Sequence, residues 1–379
     1  MQAGIVKWWP VPLIALYVVL IRFGGAPATV ASWMWAPIAA GFVVVLVLKR
    51  DRLRPSPGLW LFGAYVVYTA LSLGWSPDFG RGLRFVALIG AGFLAFVYGR
   101  AAGAPGGDSN VSWAATFGLC LALAGLLLVT DPPDFDELNP DRILGMGALA
   151  LVVMAWYGRR GRAYTLGLGM LGLAAIFLSS SRTTLLMVVG LLITAPGLRL
   201  TRSARWLIPG ALVALGFVVS LTPAFQERWF ESGSGSLWDL VTAQGLETSG
   251  RGEVWPVVAA SCGSPILGDG AGAADSYARA EHSGFPEPHN EYLRVWCDTG
   301  IVGSLLLWGF VVMTVVRAAS GVRHTFEPWP DRAAIQLAVA LLLLSLTDNP
   351  LTTGVPFMIP ACLAFGWSEY RRRRDQPVC

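Results

Sequence analysis

Long apolar runs recur along the whole 379-residue chain, each closed by an arginine cluster, a Pro/Gly pair or an acidic stretch. A bilayer core takes roughly 20 apolar residues to cross as helix, and on that rule the runs predict about twelve spans. They fall at approximately 8–22, 29–48, 58–75, 83–99, 112–130, 143–158, 163–181, 183–197, 206–223, 299–317, 333–347 and 351–368. The first run follows a single Lys7, no small-residue cleavage site comes after it, and further spans follow at once. It reads as a retained helix rather than a cleaved signal.

Composition agrees with lipid as the main solvent. Hydrophobic residues make up 54% of the chain and charged residues 14%, with a mean hydropathy of +0.57, whereas a soluble domain carries about 25% charge. The expectation is an all-α, polytopic membrane protein forming a single transmembrane domain over 1–379, with no soluble domain attached. No repeat, heptad or low-complexity domain interrupts it, and the paired inverted halves of many transporters are not evident.

The net charge of +4 does not indicate nucleic acid as a partner, because the arginines are scattered at helix ends and form no aromatic-interleaved basic face. They report topology instead. Alternate loops hold Lys7; Lys49, Arg50, Arg52 and Arg54; Arg100; Arg159, Arg160 and Arg162; Arg199, Arg202 and Arg205; Arg317, Arg323 and Arg332; and Arg371, Arg372, Arg373 and Arg374, which is most of the 28 basic residues. Short basic loops stay in the cytoplasm, so both termini are expected there and the other loops outside.

The outward set includes an acidic loop at 131–142 and a long segment, 224–298, expected to form a periplasmic loop within the domain. Loops of that size usually carry function. The long one opens with a Gly/Ser stretch at 232–236 and continues through a helical patch at 251–260, expected to kink at Pro256. A glycine-rich turn at 268–272 and a polar stretch with His282 and His289 follow. Apolar spacing returns with Tyr292, Leu293, Val295 and Trp296, so a helix is expected to run from near His289 into the next span. Cys120 and Cys362 fall inside spans and Cys379 ends the chain; only Cys262 and Cys297 fall where an oxidising compartment could pair them. Whether they pair stays open.

Three outward features stand in a recognisable order: Ser179-Ser180-Ser181-Arg182-Thr183-Thr184 at a helix–helix turn; Arg251-x-x-x-Trp255 followed by Pro265-x-x-Gly268-x-Gly270-x-Gly272; and His289-Asn290-x-Tyr292-Leu293 leading to Gly300-Ile301-Val302-Gly303. Together they resemble the O-antigen ligase family of bacterial membrane glycan ligases and polymerases, over about residues 139–303. Asn139-Pro140-Asp141-Arg142 also looks like that family's Asn-Pro-containing external loop, making Asn139 and Arg142 supporting candidates. The first five helices match in hydropathy alone. The resemblance implies a multi-pass protein of the bacterial inner membrane, with its active site at the periplasmic face. There it would move a glycan from an undecaprenyl diphosphate carrier to a hydroxyl of an acceptor glycan, without a cofactor.

The residue chemistry can be argued separately. A sugar held through its anomeric carbon to a diphosphate already has a good leaving group, so the site must mainly supply positive charge. Guanidinium groups grip phosphate oxygens bidentately and stay charged near membrane, a role that fits Arg182 and Arg251. Arg182 would otherwise be an arginine snorkelling from a helix end. Trp255, one turn from Arg251, could lie beside the guanidinium, lie against the carrier lipid, or anchor an interfacial helix. His289 is the expected base, since imidazole titrates near pH 6.5 and a neutral ring can take the hydroxyl proton; Asn290 adjoins it in the motif. The plainer alternative is a capping or loop histidine, and His282 receives no role.

The 268–272 turn could cradle phosphate through its N–H groups, but it follows no strand, and a tight turn seating the loop is the preferred reading. Asp134 and Asp136 have spacing that could hold a divalent ion, although an ordinary solvated acidic loop fits as well and two arginines already offer the charge. Metal independence is therefore expected. The acceptor is read as lipid A core, making the chain a ligase; polymerisation onto another carrier-linked repeat is the alternative. A lipid-linked sugar transporter is the rival from another class, but it should line the membrane midplane with ionisable residues, whereas these cluster at the outer boundary. A scaffold would leave the large outer loop without purpose.

Overall fold

A computed structural model describes residues 43, 55–102, 149, 153, 251–281, 287–324, 329–352 and 355–375. The spans expected at 8–22, 112–130, 163–181, 183–197 and 206–223 lie outside the described residues, as do those at 29–48 and 143–158 except for helical positions 43, 149 and 153. Every regular element among the described residues is helical. In chain order they are α1 (Pro57–Leu71) with a 3-10 turn at Ser72–Trp75, α2 (Phe79–Ala102), α3 (Arg251–Ser261), α4 (Ala273–Glu281), α5 (Glu291–His324), α6 (Trp329–Leu344) and α7 (Val355–Asp375). Three stretches are long and apolar enough to cross a membrane: Pro57–Trp75, Phe79–Ala101 and Glu291–Val322.

Local chemistry explains where these helices start. Ser56 caps α1, its hydroxyl accepting from Leu59 N–H at 3.1 Å, and Pro57 occupies the first turn, where its missing donor costs nothing. α3 runs over the expected patch with Pro256 inside it. α5 begins where the spacing predicted, two residues after His289.

α1, α2, α5 and α7 meet around an aromatic centre. Phe310 of α5 stacks on Phe62 at 4.6 Å between centroids and meets Phe96 at 5.2 Å and Phe365 at 6.0 Å. α2 and α7 approach through small residues: a side chain at Gly99 would put its Cβ 2.6 Å from the Leu363 carbonyl. Close backbone packing of this kind is what joins helices where lipid supplies no hydrophobic drive between them.

α5 is broken at Gly300, whose φ of 60° and ψ of −163° only glycine adopts without strain. The break frees N–H groups below it and carbonyls above it, and the loop after α3 takes both. Ile301 and Val302 N–H donate to the carbonyls of Pro265 and Ile266, while Asp269 and Gly270 N–H donate to those of Cys297 and Asp298, at 2.8–3.3 Å. The disulfide Cys262–Cys297, with Cα atoms 5.3 Å apart, ties this loop to α5 just before the break.

Segments assigned to one side by charge bias meet at one end of the helices. The 72–82 connection, the 265–275 loop, the head of α5 and the 345–352 turn are joined by hydrogen bonds such as Ser76 Oγ to Ala271 O and Glu291 N to Ser345 O. At the other end Glu369 of α7 lies 2.7 Å from Arg100 Nε as an ion pair and accepts a hydrogen bond from Ser56 Oγ at 3.0 Å. Asp331 of α6 is buried there against Ser368.

Candidate functional site

The head of α5 is built by its own sequence. Asn290 caps the helix, its side-chain carbonyl accepting from Leu293 N–H at 3.0 Å. His289, immediately before the cap, has φ of 49°, a left-handed conformation uncommon outside glycine. The residues on either side hold it there: Trp255 of α3 donates its indole N–H to Pro288 O at 2.7 Å, and the α5 cap fixes the chain beyond.

Two residues of the α6–α7 turn face the imidazole. Asn349 Nδ2 lies 3.1 Å from His289 Nδ1, and Asp348 Oδ1 lies 3.9 Å from the same nitrogen. The Asn349 amide is oriented by a second bond, Nδ2 donating to Glu287 Oε2 at 2.6 Å. With the amide held this way, its other hydrogen can be accepted by Nδ1 when the neutral ring carries its proton on Nε2. The opposite tautomer, with Nε2 free to accept a proton, needs Nδ1–H to turn to Asp348; closing 3.9 Å to a hydrogen bond takes a shift of about 1 Å.

Below this lies a buried charge cluster. Arg294, 1% exposed, places Nη2 2.8 Å from Asp275 Oδ1 of α4 and 3.4 Å from Glu287 Oε2, with Nε 3.6 Å from Glu291 Oε1 one turn back. One guanidinium thus joins α4, the 287–290 segment and α5. Burial pushes the Asp275 carboxyl well above its usual range, despite Arg294. For Glu287 burial works the same way, but Arg294, His289 and Arg84 of α2 outweigh it and hold the carboxyl below the usual value. Arg294 thus faces three carboxylates, of which Asp275 is held above its usual range and Glu287 below it.

The glycine-rich turn proves structural. Gly268, Gly270 and Gly272 all have positive φ, and a Cβ at Gly270 would sit 2.5 Å from the Ser76 Cα. Its donors are taken: Asp269 and Gly270 N–H patch α5, Ala271 N–H donates to Ser72 Oγ at 3.1 Å, and Gly272 and Ala274 N–H donate to the two Asp298 carboxylate oxygens at 2.9 and 2.8 Å. None of these is left for a phosphate.

Of the residues singled out in the sequence, the structure brings Trp255, His289 and Asn290 together. Arg251 begins α3, one turn from Trp255 on the same face and half-buried. Arg182, Asn139, Arg142, His282, Asp134 and Asp136 lie outside the described residues. Trp255 seats the His289 segment through Pro288, and Asn290 serves as a helix cap. Sequence reasoning missed Arg294, Glu287, Asp348 and Asn349. Arg294 was signalled by an arginine among apolar positions on a helix entering the membrane, and Asp348-Asn349 by a polar pair between two apolar runs.

Residues 167–308 match the family model described as O-Antigen ligase. The match takes in Arg182, Arg251, His289 and the Gly300–Gly303 pair, so the resemblance carried by those motifs holds there. No curated protein matches the chain.

Proposed function

From the premise that this chain carries a domain of the O-antigen ligase family, we propose that it is a membrane glycosyltransferase working at the periplasmic face of a bacterial inner membrane. It takes a glycan from undecaprenyl diphosphate and passes it to a hydroxyl of lipid A core, as a ligase. The observation that carries this reading is His289 at the head of α5, seated by Trp255 and facing Asp348 and Asn349. Arg251 lies one helical turn from that tryptophan.

In the reaction the acceptor oxygen attacks the anomeric carbon as its bond to the diphosphate breaks, inverting that centre. The hydroxyl proton goes to His289 Nε2, which becomes free to accept it once a shift of about 1 Å lets Nδ1–H turn to Asp348. Arg182 and Arg251 bind the departing diphosphate, with no metal required. The Cys262–Cys297 disulfide supports placing this end of the helices in an oxidising compartment, in line with the charge bias of the loops. A single domain of about twelve spans, with 224–298 as its large outer loop, suits such a site.

The test is transfer by the purified protein in nanodiscs from a lipid diphosphate donor, offered lipid A core in one arm and a second carrier-linked repeat in the other. Transfer to core supports the ligase; chain growth in the other arm makes it a polymerase. Arg251→Lys should lose most activity and weaken donor affinity, because a point ammonium cannot reproduce the bidentate fork. Wild-type turnover in that variant would refute the arginine assignment.

A further inference from the structure

The 265–268 turn combines two properties that rarely coincide in a turn facing water. Its tip is apolar and bare, with Ile266 62% and Leu267 52% exposed. Yet its carbonyls are all accepted within the protein: Pro265 by Ile301 N–H at 2.9 Å, Ile266 by Val302 N–H at 3.3 Å, Leu267 by Tyr68 Oη–H at 2.8 Å and Gly268 by Trp75 Nε1–H at 3.1 Å. Water would solvate such carbonyls freely, and nothing then requires a tyrosine and a tryptophan to reach for them. Hydrocarbon offers a carbonyl no such partner, so acceptors at membrane depth must be satisfied by protein.

The surroundings point the same way. Leu71 and Trp75, at the end of α1, and Ile301 and Leu305, just past the α5 break, are also exposed. Both stretches belong to segments long and apolar enough to cross a membrane, so the turn continues their outward apolar surface rather than forming an isolated patch.

We propose that residues 265–268 form a re-entrant tip seated in the outer leaflet, with Ile266 and Leu267 in contact with lipid acyl chains. The tip fixes the depth of the loop that carries Arg251, the disulfide and, through Trp255, His289. This holds for the full chain in a bilayer and does not depend on which glycan is transferred.

The experiment is spin-label accessibility in nanodiscs of stated phospholipid composition. In a Cys120→Ser, Cys379→Ser background, Ile266→Cys and Leu267→Cys are labelled separately, with Leu305→Cys as the lipid reference. Collision with oxygen, which partitions into hydrocarbon, should exceed collision with an aqueous nickel chelate several-fold at both tip positions, as at 305. A preference for the chelate at 266 and 267 overturns the proposal, placing the tip in water. Low access to both probes overturns it too, because it would mean that protein covers the tip.

Discussion

At the scale of single residues the site turns on proton placement. His289 Nδ1 lies between the Asn349 amide, which can donate a hydrogen bond to it, and Asp348, a carboxylate that can accept one from it. If Asp348 selects the tautomer that acts as base, Asp348→Asn should lower kcat by about tenfold or more and leave the donor KM nearly unchanged. His289→Ala should cut single-turnover transfer by about 10²-fold or more while donor binding persists. Near-normal transfer by the alanine variant would remove the general base and leave arginine positioning alone. The Arg294 cluster makes a prediction of another kind, about stability. Glu287 is held below the usual carboxylate value, so its contribution is present above that range and fades as pH falls through the folded value. Asp275 is raised, so the fold loses stability as pH climbs from the ordinary carboxylate value through its own. Glu287→Gln should therefore cost more stability as pH rises, and Asp275→Asn less, because the first removes a carboxylate favoured in its charged form and the second one whose charge is disfavoured. Thermal unfolding of both variants at mildly acid and mildly alkaline pH checks the two signs; the same pH trend in both would contradict them.

At the scale of elements the α5 break is the organising feature. Gly300→Ala combines a disallowed backbone with a Cβ driven into the Ile266 carbonyl. A loss of about 2–3 kcal/mol in unfolding free energy is expected from the strain alone, with activity falling as the loop after α3 loses its seat. An unchanged midpoint would mean that the break is not constrained. Much of this level was legible beforehand. The span at 58–75, the helix from near His289 and the turn at 268–272 follow from local spacing, run length and glycine placement, all of which a sequence displays directly. What stayed hidden depends on partners far apart in the chain. Nothing local says that Glu287 and Asn349 share a hydrogen bond across 62 positions, or that carbonyls at 265 and 266 complete a helix beginning again at 301. The two cysteines lay between these cases: their place together outside the expected spans was readable, whereas their pairing required the fold.

At the scale of the whole molecule two unlike ends face each other across the helices, one holding His289 and the disulfide, the other the Arg100–Glu369 pair. If the basic loops set orientation, a reporter fused after Arg162 or Arg205 should read cytoplasmic and one near Ser234 periplasmic. The reverse at Ser234 would separate the long loop from the periplasm and end the proposed mechanism. The Glu369 contacts also bear on the order in which the protein comes into being. Ser56 and Glu369 are 313 residues apart, and at about 5–20 residues per second the ribosome needs roughly 15–60 s to travel between them. During that interval Arg100, already inserted with α2, waits for the carboxylate that closes its end of the bundle. α7 is thus a late keystone: α1 and α2 are made long before it, and their packing around Glu369 has to wait until α7 has been made.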